Sequence, residues 1–172
     1  YLAGKLERVH LCGQPPNILI YVGSGSETGK FEELKSLIME CIDINAYIIY
    51  QLLEKQVLTV PWVENTLLLI VATSELISEA VHKQFLTFMS KGGKIFGLGT
   101  NFAFGELQLR NKKELKDRIQ PLVFSKDETE EVRLNIFTTG KVFERKKDKE
   151  CSSVKLLGYL DSPNKEMMVV YL

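Results

Sequence analysis

The segment from Lys91 to Gly105 reads Lys-Gly-Gly-Lys-Ile-Phe-Gly-Leu-Gly-Thr-Asn-Phe-Ala-Phe-Gly, and here the chain comes nearest to a pattern that does chemistry. A short apolar strand at Ile95 and Phe96 runs into a glycine-rich bend. Some α/β hydrolytic folds use a sharp strand-to-helix bend to hold a nucleophile with its side-chain tip exposed. At the centre of this bend stands Gly99, which has no side chain. Two readings follow. The bend descends from a nucleophile elbow that has lost its nucleophile, leaving a scaffold; or Gly92, Gly93, Gly97 and Gly99 simply supply positive φ and close backbone approach.

Open α/β sheets bind ligands outside the carboxyl ends of their strands. Three loops converge there: Gly23–Gly29, Thr73–Ser78 and Gly99–Gly105. The resulting candidate cleft comprises Gly23, Ser24, Gly25, Thr73, Gly97, Gly99, Thr100 and Asn101. The first loop, Gly-Ser-Gly-Ser-Glu-Thr-Gly-Lys, enters a helix and offers backbone N–H groups to an anion. It is not a P-loop, because Ser24 stands where that motif needs its first glycine and Phe31 where it needs the magnesium-binding hydroxyl. Ser24, Ser26, Thr28 and Gly29 resemble the phosphate loop of flavodoxin-type domains, which implies FMN binding and electron transfer as an alternative function. Phe31 and the lack of a tyrosine after Gly99 depart from that pattern, and a solvated loop before an ordinary helix start is the simpler reading.

The remaining reactive side chains are scattered. Cys12, Cys41 and Cys151 are odd in number and widely spaced, and with only His10 and His82 they give no zinc-ligand spacing, so no metal site is expected. Such cysteine usage fits a reducing compartment and a soluble intracellular domain. Cys41 is expected on the apolar face of a helix, in the core; neither histidine is expected at a strand end. Cys151 lies in a charged loop without a base nearby in sequence, so a cryptic hydrolase using it or a serine is a third functional class. Trp62, after Pro61, reads as an anchor at the sheet edge.

The elements that must position these residues alternate. Asn17–Val22, Ala46–Tyr50, Leu67–Ala72 and Ile95–Phe96 read as strands, mostly of the doubly covered kind. Between them, Phe31, Leu34, Leu37, Ile38, Cys41 and Ile42 recur at helical spacing, a short helix occupies Leu52–Leu58, and Ser78 caps a helix striped by Val81, Phe85, Phe88 and Met89. This alternation predicts an α/β fold with a doubly wound, mostly parallel sheet covered by helices on both faces. Beyond Gly105 the pattern predicts a helix over Lys113–Gln120 and a hairpin of Val132–Phe137 with Lys141–Phe143 about Thr139-Gly140. A charged loop from Glu144 to Glu150 follows, then late strands at Leu156–Leu160 and Met167–Leu172. Residues 1–16 read as a lead-in linker and 17–172 as a single domain with added antiparallel strands.

Composition bounds the function. The 172 residues are 45% hydrophobic and 26% charged, ordinary for a soluble domain with a sizeable core. Lysines plus arginines and aspartates plus glutamates each number 22, so no net field steers nucleic acid or an anionic membrane toward the chain. That neutrality fits a piece that sits beside other domains. The start at Tyr1 and the strand-like run Met167–Leu172 lead us to expect a segment of a longer polypeptide, shortened at its C-terminal end.

A set of ordered blocks resembles one family. These are Pro16-Asn17-Ile18-Leu19-Ile20-Tyr21-Val22-Gly23-Ser24, Cys41-Ile42-Asp43-Ile44, Pro61-Trp62, Asn65 with Leu67–Thr73, Gly92–Gly105, Leu122-Val123-Phe124-Ser125-Lys126 and Met167–Val170. In this order they are similar to the region upstream of the ligase domain in animal holocarboxylase synthetases, the biotin–protein ligases. The resemblance implies a class I glutamine amidotransferase-like, flavodoxin-like fold. In fungal relatives the bend carries cysteine within Gly-Phe-Cys-Ala-Gly-Gly; the equivalent run here is Gly97-Leu98-Gly99-Thr100-Asn101-Phe102, so Gly99 replaces the nucleophile. The family joins biotin to carboxylases using ATP, with magnesium, through a Gly-Arg-Gly-Arg-type loop and a Lys-Trp-Pro-Asn-Asp segment. Neither occurs in this chain. The resemblance therefore implies a non-catalytic accessory domain without a cofactor of its own. Its implied partners are a C-terminal ligase domain and the biotin-dependent carboxylases. The implied location is the cytoplasm, with the mitochondrion as a second one.

Overall fold

In the computed structural model, residues 15–24, 29–100, 102, 107–127, 129–147 and 154–171 are described. The chain divides into two compact units, residues 1–102 and 103–172.

The first unit is built on a four-stranded parallel sheet of β1 (Asn17–Tyr21), β2 (Ile48–Gln51), β3 (Thr66–Val71) and β4 (Lys94–Gly97), in the order β2-β1-β3-β4. Helices α1 (Lys30–Cys41), α2 (Glu54–Thr59) and α3 (Glu79–Ser90) form the crossovers. The central strands β1 and β3 are buried almost throughout, while the edge strands β2 and β4 alternate between half-buried and exposed residues. Alternation along the central strands sends Ile18, Ile20, Val22, Ile70 and Ala72 to one face, against Phe31, Leu34 and Ile38 of α1. On the opposite face an aromatic layer gathers under α3. Phe85 meets Tyr21, Trp62 and Phe102 edge-on, at ring-centroid separations of 5.3, 6.2 and 5.6 Å. Both faces of the sheet are thus covered by helices, as the alternation predicts.

Trp62 belongs to that buried layer and not to the sheet edge. Its indole N–H donates to the Val57 carbonyl at 3.1 Å and its ring packs 5.2 Å from Phe88. Cys41, expected in the core, is exposed at the last position of α1. Ile42, the residue after it, packs on the core beside Leu34 and Ile38 in its place.

The second unit is a six-stranded antiparallel sheet. Its strands are β5 (Leu107–Asn111), β6 (Arg118–Asp127), β7 (Glu130–Thr138), β8 (Lys141–Arg145), β9 (Lys155–Leu160) and β10 (Met167–Tyr171), in the order β5-β8-β10-β9-β6-β7. Three expectations fail here. The helix over Lys113–Gln120 shrinks to one 3-10 turn, Lys113–Leu115, because Asp117 takes a φ of 56° and Arg118 starts β6. Leu115 is buried and its carbonyl accepts the Thr138 hydroxyl, so tertiary contacts override helix-forming side chains. The hairpin about Thr139-Gly140 does not form either, since β7 pairs with β6 and β8 pairs with β5 and β10. The charged run expected to be a loop from Glu144 also begins inside β8.

Those pairings impose a shape on the second sheet. In a flat sheet the four spacings between β7 and β8 would be roughly 19 Å, at about 4.8 Å each. The two-residue connection offers three Cα steps, about 11 Å at most. The sheet must therefore roll. At the connection, Gly140 has a φ of 81°, its carbonyl accepts the Lys112 N–H at 2.7 Å, and a Cβ there would lie 2.8 Å from the Lys112 carbonyl. Only glycine fits without displacement.

Candidate functional site

The carboxyl ends of β1, β3 and β4 share one edge of the parallel sheet by register, with Tyr21 opposite Val71 and Val71 opposite Gly97. The Ala72 N–H donates to the Tyr21 carbonyl and the Leu98 N–H to the Val71 carbonyl, both at 2.9 Å, carrying the pairing past the strand ends.

Gly23, Ser24 and Thr73 come together around a residue that sequence reasoning missed, Glu75. One Glu75 carboxylate oxygen accepts the Ser24 N–H at 2.9 Å and the other accepts the Ser24 hydroxyl at 3.1 Å. The Thr73 hydroxyl oxygen in turn accepts the Glu75 N–H at 3.1 Å. Gly23 lies under this clasp at a φ of 86°, where a Cβ would stand 2.6 Å from both Glu75 Oε2 and Thr73 Oγ1. The clasp joins the loops after β1 and β3. Beneath it the Tyr21 hydroxyl is pushed up to about 12 by burial first, then by the negative charges of Glu54 and Glu75. The signal for Glu75 was a lone acid two residues beyond Thr73, facing a Gly-Ser loop, but spacing along one loop cannot show which other loop it reaches.

This clasp bears on the flavin alternative. The Ser24 N–H and hydroxyl, which the flavodoxin-like pattern assigns to a phosphate, are both taken by a carboxylate. A phosphate on Ser24 would meet that negative charge at van der Waals distance, so Ser24 as placed does not fit the group. Gly25, Ser26 and Thr28 lie outside the described residues.

At the β4 bend, Gly97 ends the strand and Gly99 takes a φ of 56°. Gly99 is exposed, and among the described residues nothing lies within 4 Å of where its Cβ would stand. Thr100 is buried, and its hydroxyl oxygen accepts the Phe102 N–H at 3.1 Å. The next described element is strand β5. Asn101 lies outside the described residues, as do His10, Cys12 and Cys151.

His82 corrects a further expectation. It sits in the first turn of α3, where its N–H donates to the carbonyl of the cap residue Ser78, and so stands at the strand-end side of the sheet. Its ring lies 4.8 Å from that of Phe102, just past the bend. Among the described residues no group of three or more His, Cys, Asp or Glu could hold a metal ion. No described helix is long and apolar enough to cross a membrane.

Compared with known proteins, the chain is 41% identical over 167 residues to human biotin–protein ligase, an alignment covering 96% of this chain. The chain is homologous to a segment of that ligase. It spans 23% of the length of this relative. No family model matches it. Among solved structures, the fold is similar to a crystal structure of a ThuA-like protein from Bacteroides uniformis, with a TM-score of 0.56 at 14% identity, covering 88% of this chain and 71% of that one. At that identity the likeness concerns the fold alone. The chain similar to that segment is thus α/β: a four-stranded parallel sheet with helices, joined in sequence to a six-stranded antiparallel sheet.

Proposed function

We propose that this chain is a non-catalytic accessory domain of a biotin–protein ligase, which regulates or docks the parts that do the chemistry. The observation that carries the reading is the β4 bend: an exposed backbone with positive φ, held by Gly99, in a chain homologous to a segment of a ligase. The bend has the exposure a nucleophile needs and lacks the nucleophile. The sequence also lacks both ligase motifs, so ATP and biotin, with magnesium, are handled by another part of such an enzyme. The partners in this reading are the ligase domain and the biotin-dependent carboxylases that accept biotin. The enzyme's location would be the cytoplasm, with the mitochondrion as a second site.

A domain that performs no chemistry changes a rate by favouring one state of its neighbour, typically by about 1–3 kcal/mol, or roughly 5–150-fold. Removing the homologous segment from a full-length ligase is expected to leave biotinyl-adenylate formation unchanged and to alter the rate or selectivity of transfer to the carboxylase acceptor. Each half-reaction is measured separately, with and without the segment. Equal constants in both, together with no binding between the separated parts, would remove the support for this reading. Biotin- and ATP-dependent pyrophosphate exchange by the purified segment itself would overturn it.

A further inference from the structure

Among the described residues the two sheets have four edges, and they are not alike. β2 and β4 have four residues each and β5 has five, so three edges are blunted by shortness. β7 is the exception. It runs nine residues, Glu130–Thr138, at the end of its sheet, with a regular register against β6 from Arg118 to Ser125. The single irregularity falls between Ser125 and Asp127, near the hairpin tip, and the strand contains no proline. Val132, Leu134 and Phe137 are 48%, 50% and 66% exposed. Of the three charges in β7, Glu130 and Glu131 lie beside the hairpin tip and Arg133 is tied to Asp161 at 2.5 Å.

The strand also reads alike in both directions. About its midpoint, Leu134, an apolar row of Val132, Leu134 and Ile136 lines one side, and Arg133 and Asn135 flank the midpoint on the other. We propose that β7 is a self-pairing edge, through which two copies of this chain associate as antiparallel strands around a two-fold axis at Leu134.

In that register the seven exposed or half-buried residues Glu131 to Phe137 pair, while Thr138, buried in its own sheet, stays out of the seam. Glu131 faces Phe137 of the partner subunit, Val132 faces Ile136 of the partner subunit and Arg133 faces Asn135 of the partner subunit. Leu134 meets its own counterpart. No like charges stand opposite one another, and the apolar row continues across the axis. Moving the axis to Arg133 sets two guanidinium groups face to face. Moving it to Asn135 leaves Glu131 without a partner in the strand and sets Val132 against the buried Thr138 of the partner subunit. One strand pair buries far less than the roughly 1,200–2,000 Å² of a stable interface, so the association is weak and concentration-dependent.

Sedimentation velocity on the full 172-residue chain, over concentrations reaching the millimolar range, tests this. The wild type is expected to shift from monomer toward dimer. Leu134→Lys and Leu134→Glu, each placing like charges at the axis, are each expected to weaken dimerisation at least about tenfold, since directly opposed like charges destabilise a strand pair. An equimolar mixture of the two variants is expected to dimerise again, because lysine then faces glutamate. A wild type monomeric throughout overturns the proposal, as does either variant dimerising like the wild type. So does a mixture of the two folded variants that stays monomeric. Should either variant fail to fold, amide exchange of the wild type decides: protection across 130–138 must rise with concentration, and a concentration-independent pattern overturns the proposal.

Discussion

Two glycines show how much of this fold is decided by single backbone positions. Gly99 and Gly140 both have positive φ, at 56° and 81°, but only Gly140 is also crowded, by the Lys112 carbonyl and the Lys116 side chain. Gly99→Ala is therefore expected to cost only the backbone term, about 1–2 kcal/mol for a left-handed residue with a Cβ. Gly140→Ala is expected to cost more, because the Lys112 carbonyl must also move. Urea unfolding of both variants checks the order, and a Gly99 variant as costly as the Gly140 one would show that the bend is not open. Tyr21 supplies a second residue-scale expectation. Its folded pKa is raised above the unfolded value of 10.0, to about 12, so its contribution is intact below about pH 10 and is lost as pH rises through 12. A Tyr21→Phe variant is expected to lack that alkaline loss when melting temperature is followed from pH 9 to 12. An identical alkaline profile in both proteins would count against it.

At the scale of elements, legibility follows where each strand finds its partners. β1, β3 and α3 could be read because their apolar residues alone report burial: Ile18–Tyr21, Leu69–Val71 and the Val81, Phe85, Phe88 stripe are buried as their spacing demands. The second unit was legible as strands and not as pairings. Thr139-Gly140 has the composition of a hairpin turn, yet glycine there answers to the approach of Lys112, a contact between positions 28 residues apart. Lys113–Gln120 carries helix-forming side chains that yield to the hold of Thr138 on Leu115. The Glu75 clasp was hidden for the same reason, as it joins residues 51 positions apart. Glu166 plays the matching part in the second unit. Burial disfavours its charge, but the hydrogen bonds from Ser162 and Lys112 outweigh that and hold its carboxyl below the ordinary value of 4.5. A depressed folded pKa means stability that is present above about pH 4.5 and lost as pH falls through the folded value. Glu166→Gln is expected to remove that acid-dependent component, and to lower stability at pH 7 by roughly 1.5–3 kcal/mol, the range for hydrogen bonds to charged groups. Parallel melting curves from pH 7 to 3 test both signs; a variant that matches the wild type at pH 7 and keeps the acid-dependent loss would show that Glu166 holds nothing.

For the whole molecule, the question is which parts stand alone. All pairings of the parallel sheet, β1 with β2, β1 with β3 and β3 with β4, close within residues 17–97. Among the described residues both apolar layers close slightly later: the α1 face with Leu98, and the aromatic layer under α3 with Phe102. The buried set of that unit includes Phe85, Phe88, Ile20, Leu69 and Ile70, the largest side chains removed from solvent. At about 100 residues, such a unit lies in the size range where single domains unfold as one cooperative step. Residues 1–102 alone are therefore expected to fold, with helical far-UV dichroism and a sigmoidal urea transition. Shortening the fragment to residue 101 removes Phe102, which meets both Phe85 and His82, and is expected to lower the transition midpoint. Loss of a large buried aromatic typically costs about 3–5 kcal/mol, enough to be seen directly in the urea midpoint. If residues 1–102 gave no cooperative transition, or if shortening left the midpoint unmoved, the apolar layers that close within the sequence of this unit would not be what stabilises it. The parallel sheet would then depend on chain beyond Phe102.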